Sequence, residues 1–235
     1  MRLRFFDLFG TLVTVDVDPF DEITEAVASL GVGSNDFKTE YVTVYEERSH
    51  EVEIPLTDHV SETLARLGCE VEKEEVRRRV EDIFFDAEIR RVDGAEEVVE
   101  KVSSSDDTLT AVVSNTSVEG LVDTALSEAG LRDEFDAVVS SVDVGHRKPS
   151  TEPFDEALRQ LGVDTEEVRH DVVHVGDSLV DIEGGNKAGF KTCLVDADDD
   201  DDDEYANAKS DMAREKANPD YVVTDISEVT EVLRR

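Results

Sequence analysis

Cysteine is nearly absent from this chain: Cys69 and Cys193 are the only two among 235 residues, far apart and outside any paired motif. That excludes a cysteine zinc site and a disulfide framework. Long apolar runs are missing as well, and none approaches the roughly 18–20 residues that a bilayer-spanning helix needs. The N-terminus, Met1-Arg2-Leu3-Arg4-Phe5-Phe6, has neither an extended apolar stretch nor a cleavage site behind it, which argues against a signal peptide and for the cytosol. Positive charge is also scarce, with 24 basic residues against 59 acidic ones, a net charge of −35 and a pI near 4.2. Such a surface repels phosphate backbones and anionic lipid, so neither nucleic acid nor a membrane is an expected partner.

The hydrophobic fraction of 39% is enough for a sizeable core, in one domain or one domain carrying a smaller insert. Lysine is the rarer base, 8 against 16 arginines. An acidic, lysine-poor chain that keeps its core resembles the proteins of salt-loving microbes, in which molar salt shortens the screening length to a few ångströms and cancels self-repulsion. Salt adaptation is the simplest reading of the charge. The run Asp198–Asp203 reads as a solvated insertion, since it lacks the glycine and the alternation of a calcium loop.

Two rhythms divide the chain. From Val15 to Arg91 the apolar residues recur at helical spacing and no strand is predicted. The stripes are Phe20, Ile23, Val27 and Leu30; Leu56, Val60, Leu64 and Leu67; and Val76, Val80, Ile83 and Phe84, with Asp18-Pro19 as a helix start. After Gly94 short apolar strands alternate with helices, which predicts a parallel sheet covered on both faces. The expected fold is α/β, a Rossmann-like doubly wound parallel sheet formed by residues 1–15 and 94–235, with an all-helical cap at 16–93.

In open α/β sheets ligands bind beyond the carboxyl ends of the strands, and the notable polar residues fall there. Asp7 follows Leu3–Phe6, Ser114-Asn115 follow Ala111–Val113, and Asp177 follows Val172–Gly176, with Asp181 four residues on. Lys148 lies on a loop beyond the strand that ends near Ser140. In this order Asp7-Leu8-Phe9-Gly10-Thr11-Leu12, Val113-Ser114-Asn115, Arg147-Lys148-Pro149 and Gly176-Asp177-Ser178-Leu179-Val180-Asp181 resemble the four motifs of the haloacid dehalogenase-like hydrolase superfamily. The resemblance covers nearly the whole chain apart from the acidic insertion.

It implies an aspartyl covalent intermediate on Asp7, with Ser114 bonding the transferred group and Lys148 neutralising charge. Thr11 and Asn115 would bind substrate or shape the turn around it. Asp7, the Phe9 carbonyl and Asp177 would hold Mg²⁺, with Asp181 as a ligand or just behind one, because an oxygen-only donor set suits that ion. The implied partner is a small-molecule phosphate ester or acyl phosphate, and the chain is expected to act as a monomer or homodimer.

One position departs from the superfamily's phosphatases. They carry a second Asp two residues after the nucleophile, which protonates the leaving alkoxide, and here that residue is Phe9. Metal-independent 2-haloacid dehalogenases also place an aromatic residue there, since halide leaves without a proton. They do not keep the acid at Asp177, whereas this chain does. A Mg²⁺-dependent phosphatase of restricted substrate range is therefore the preferred reading. A dehalogenase is the alternative, and a domain that binds Mg²⁺ and a phosphorylated ligand with little turnover is a third. The five histidines are scattered without ligand spacing, Lys38 and Lys73 read as surface residues, and of Arg48, Arg66, Arg77, Arg78, Arg79, Arg90 and Arg91 most are expected to pair with neighbouring acids, with a substrate clamp among them left open.

Overall fold

A computed structural model of the protein describes residues 1–16, 19–163, 168–196 and 216–234. Its strands are β1 (Arg2–Phe6), β2 (Val13–Val15), β3 (Ile89–Arg91), β4 (Thr108–Ser114), β5 (Ala137–Ser140), β6 (Val172–Gly176), β7 (Lys191–Val195) and β8 (Tyr221–Val223). Six of them form a wholly parallel sheet in the order β5-β4-β1-β6-β7-β8. β1 is central, and the chain winds outward on one side through β4 and β5, then on the other through β6, β7 and β8. The order reverses across β1.

Alternation along the strands supplies both faces. Phe6 and Val112 face one layer, where α6 (Ala95–Ser103), α7 (Leu121–Glu128) and α11 (Val229–Val232) bring Val98, Val99, Leu126 and Val229. Leu3, Phe5, Ala111 and Val113 face the other, against Phe154, Ala157 and Leu158 of α9 (Glu152–Gln160), which follows the short α8 (Ser141–Val144). Phe5 and Phe154 both meet the Phe190 ring nearly edge-on. The helix α10 (Leu179–Lys187) lies along β6 and β7, where Ile182 packs on Leu194.

The helical segment comprises α1 (Pro19–Ala28), α2 (Ser34–Glu46), α3 (Leu56–Arg66), α4 (Lys73–Val80) and the short α5 (Asp82–Phe85). Ile23, Val27, Phe37, Val60, Leu64 and Val80 share one core, into which the sheet domain sends Val118 and Leu121. The expected absence of strands from Val15 to Arg91 needs correction at both ends. β2 and β3 pair antiparallel, Val13 with Arg91 and Val15 with Ile89. Strands of three residues show too little period-two patterning to be read locally, and this pairing joins segments far apart in sequence.

The helix α2 was not anticipated, because only Phe37 and Val44 are buried along its thirteen residues and its apolar stripe is correspondingly thin. The helix after β4 begins at Leu121, where Gly120 turns the chain at φ 78°. The chain closes on a 3₁₀ turn, Ile226–Glu228, followed by α11. Asp18 and the Asp198–Asp203 run lie outside the described residues. No helix among the described residues is long and apolar enough to cross a membrane.

Candidate active site

The reversal of strand order opens a crevice at the carboxyl ends of β4, β1 and β6, where neighbouring strands diverge to opposite sides. Register sets the residues around it. Phe6 lies opposite both Val112 and Val175, so Asp7, Ser114 and Asp177 leave adjacent strands at nearly the same height. The Asp7 amide donates to Val175 O at 2.8 Å, which extends the pairing up to the nucleophile position.

Lys148 reaches this point from its loop with its ammonium fully enclosed. An ammonium offers three N–H donors, and here each has an acceptor: Asp181 Oδ1 at 2.6 Å, Asp7 Oδ1 at 2.7 Å and Val113 O at 2.7 Å. Asn115 holds the lysine from behind, its Oδ1 accepting from Lys148 N–H at 2.8 Å and its Nδ2 donating to Lys148 O at 3.1 Å. Asn115 was expected to bind substrate; its amide is engaged instead in fixing the Lys148 backbone.

The charges act on one another strongly because all three are buried. Burial pushes the Asp7 carboxyl up to about 7, against the pull of Lys148. Burial opposes the Lys148 charge, yet Asp181 and Asp7 outweigh it and raise the ammonium above its ordinary value. For Asp181 burial is again the largest influence and acts upward, but Lys148 and His174 together overrule it and hold the carboxyl well below its usual range.

Asp181 is surrounded by donors. Its Oδ1 accepts from Lys148 and from His174 Nε2 at 2.9 Å, and its Oδ2 accepts from the Ser178 amide at 3.2 Å and from the Ser178 hydroxyl. A carboxylate has about four acceptor positions, and these four donors fill them. Asp181 thus supports Lys148 and caps α10 at Ser178, which leaves it poorly placed to ligate an ion directly. His174, set aside in the sequence as one of five scattered histidines, is entirely buried. Burial first of all lowers its basicity, so the neutral ring donates from Nε2 and leaves Nδ1 unpartnered among the described residues. Its inward position on β6, three residues before Asp177, was the available signal.

Asp177 is the exposed member of the group, and its Oδ1 accepts from the Thr11 hydroxyl at 2.7 Å. That hydroxyl was expected to serve substrate or the turn behind Asp7; it positions the opposite carboxylate instead. Carboxylate oxygens of Asp7, Asp177 and Asp181 come within 4.8 Å of one another. Gly10, at φ 89°, lets the turn pass beneath them, and a Cβ there would stand 2.3 Å from Asp177 Oδ2. The turn is closed by Gly10 N–H to Val13 O and by Leu12 and Val13 N–H to Leu8 O, so the Phe9 carbonyl is used by none of these bonds. Asp7, Asp177 and the Phe9 carbonyl are hard oxygen donors, a set that fits Mg²⁺.

Ser114 ends β4 fully buried, and its hydroxyl has no hydrogen-bond partner among the described residues. A buried hydroxyl left over beside a nucleophilic carboxylate is an available donor for a ligand. Phe9 faces a cavity of about 570 Å³ shared by the sheet domain and the helical segment, with Asn115, Thr116, Tyr41, Phe84, Glu53 and Arg147 on its wall. Glu53 carried no sequence signal. The arginines of the helical segment behave as expected, Arg66 pairing with Glu47 and Glu62 and Arg77 with Glu74.

A family model described as "Haloacid dehalogenase-like hydrolase" matches residues 6–195. Among curated proteins, pyrophosphatase PpaX of Halalkalibacterium halodurans is 35% identical over 104 residues, 44% of this chain and 42% of that one. The chain therefore spans less than half the length of this relative. Among solved structures, a predicted phosphoglycolate phosphatase from Haemophilus somnus superposes with a TM-score of 0.65 at 18% identity, covering 99% of this chain and 97% of its own. The L-2-haloacid dehalogenase of Xanthobacter autotrophicus superposes with a TM-score of 0.62 at 17% identity, covering 100% and 98%. At these identities the structures speak for the shared fold.

Proposed function

The chain belongs to the haloacid dehalogenase-like hydrolase family, and we propose that within it this hydrolase is a Mg²⁺-dependent phosphatase acting on a small phosphorylated metabolite. One observation carries this reading: three carboxylates meet within 4.8 Å where a single buried ammonium supplies the only contacting positive charge among the described residues. Like charges this close are tolerated when a cation joins them. Asp7, Asp177 and the Phe9 carbonyl would hold the ion, and Mg²⁺ there supplies charge neutralisation for the transferred phosphoryl group. The phosphatase names among the relatives support the same class of chemistry.

The chain's own residues divide the work. Asp7 attacks phosphorus; a carboxylate O–P bond forms as the ester O–P bond breaks, and water then hydrolyses the aspartyl phosphate. Lys148 keeps Asp7 oriented through Oδ1, leaving Oδ2 without a hydrogen bond among the described residues. The Ser114 hydroxyl donates to the transferred group. Asp181, His174, Ser178 and Asn115 are positioning residues for Lys148, and Thr11 is one for Asp177. Phe9 has no proton to give, so the preferred esters are those whose leaving group departs unprotonated, aryl and acyl phosphates.

The experiment is phosphate release from an aryl phosphate in molar salt, with Mg²⁺ and with chelator. Activity that requires the metal and is lost in Asp177→Ala is expected. A second reading is favoured by Phe9 alone: release of chloride from 2-chloropropionate, insensitive to chelator and to Asp177→Ala, would make the protein a dehalogenase. Residues 16–93 we take as the cap over this site, the acidity as adaptation to molar salt in a cytosolic protein, and the small molecule as the partner of a monomer or homodimer.

A further inference from the structure

We propose that Glu53 and Arg147 form a recognition subsite on the wall of the cavity that Phe9 faces, and that the ester hydrolysed is a monophosphate of a largely apolar phenol that presents a further N–H or O–H donor to Glu53. This rests on the phosphatase reading and names its substrate class. The Glu53 side chain is only 4% exposed, yet it is half satisfied. Its Oε2 accepts from the Ser141 hydroxyl at 2.7 Å, and its Oε1 accepts nothing among the described residues. Arg147 stands alongside without closing the gap: its Nε is 3.7 Å from Oε2, beyond hydrogen-bond length, and its Nη1 reaches the Tyr45 hydroxyl at 3.4 Å. Oε1 is not sealed in as the Ser114 and Ser140 hydroxyls are, so a ligand N–H or O–H in the cavity can reach it.

The subsite is held in register with the chemistry. Glu53 N–H donates to Gly145 O at 3.1 Å, Arg147 N–H donates to Glu51 O at 2.9 Å, and Val52 bridges His146. Residues 51–53 are therefore zipped to residues 145–147, which lead directly into Lys148. The rest of the wall is mostly apolar, with Phe9, Ile23, Leu56, Phe84, Val118 and Leu121. Glu53 and Arg147 cancel in charge, so this space gives no net attraction to a second anion. Inorganic pyrophosphate, or a leaving group carrying its own carboxylate, would bring such an anion here. An apolar body with one donor fits better.

The test compares three aryl esters whose leaving groups are close in acidity, phenyl, 3-hydroxyphenyl and 3-methoxyphenyl phosphate, with pyrophosphate, all with Mg²⁺ in molar salt. The 3-hydroxyphenyl ester is expected to exceed the 3-methoxyphenyl ester at least tenfold in kcat/KM, mostly through KM, with pyrophosphate the slowest of the four. In Glu53→Gln the hydroxy-to-methoxy ratio is expected to collapse towards one. A wild-type ratio near one overturns the subsite whether or not the variant folds, as does a ratio that survives Glu53→Gln. Pyrophosphate as the fastest compound overturns the substrate class while leaving the phosphatase reading standing. No hydrolysis of any of the four overturns both.

Discussion

Lys148 Nζ lies 2.6 Å from Asp181 Oδ1 in a contact with almost no exposure on either side, and the same ammonium lies 2.7 Å from Asp7 Oδ1. One cation thus balances a carboxylate that is saturated with donors and another that keeps a free oxygen. Asp181 anchors the lysine so that Asp7 can be both neutralised and available. The arrangement stores a vulnerability, because each partner is desolvated and depends on the others.

Removing the cation exposes that dependence. Lys148→Ala should destabilise the fold by about 3–5 kcal/mol in denaturant unfolding, the usual cost of leaving buried charge unpaired, and should abolish hydrolysis. Stability within about 1 kcal/mol of wild type would mean that solvent or ions reach Asp7 and Asp181 far more readily than their burial implies.

The Asp7 carboxyl gives a pH dependence with a definite sign. In metal-free protein its pKa is raised from 3.8 to about 7, so the folded state keeps a proton that the unfolded state has released. Its contribution to stability is full below about 4 and is lost as pH rises through about 7. Metal-free Asp7→Asn should therefore match wild type near pH 4 and be the more stable protein at pH 8, by thermal unfolding in chelator. Mg²⁺ binding, followed by calorimetry, should weaken as pH falls below about 7, since the proton competes for Asp7. The reverse trend in either measurement contradicts the assignment.

Phe9 sets the leaving-group limit. Wild type should hydrolyse aryl or acyl phosphates much faster than sugar phosphates, and Phe9→Asp should raise the alkyl-ester rate selectively, by up to ~10²–10⁴-fold. The gain is reduced if the new carboxylate finds no partner beside the apolar wall. Equal wild-type rates on alkyl and aryl esters would show that another group delivers the proton.

The net charge of −35 predicts a salt requirement. Circular dichroism should show unfolding on dialysis from molar salt to about 10 mM, where the screening length reaches about 30 Å and the repulsion acts across the whole molecule. Full secondary structure at low salt would remove the case for salt adaptation.

The positions of Asp7, Ser114 and Asp177 were legible in the sequence, because each polar residue follows an apolar run that marks a strand end, whereas Lys148 stood only on a loop beyond one. The alternation after Gly94 likewise determined the parallel sheet, since burial on two faces leaves its mark on every strand. Which side chain meets which was decided by the tertiary structure alone. Thr11 donates to Asp177 rather than to substrate, Asn115 clamps Lys148, and His174 completes Asp181, across separations of 166, 33 and 7 residues. The β2–β3 pair and the half-satisfied Glu53 belong to the same class. Composition and periodicity record which face a residue buries. Hydrogen bonds depend on distances of 2.6–3.1 Å between distant segments, and only the packed sheet brings those segments that close.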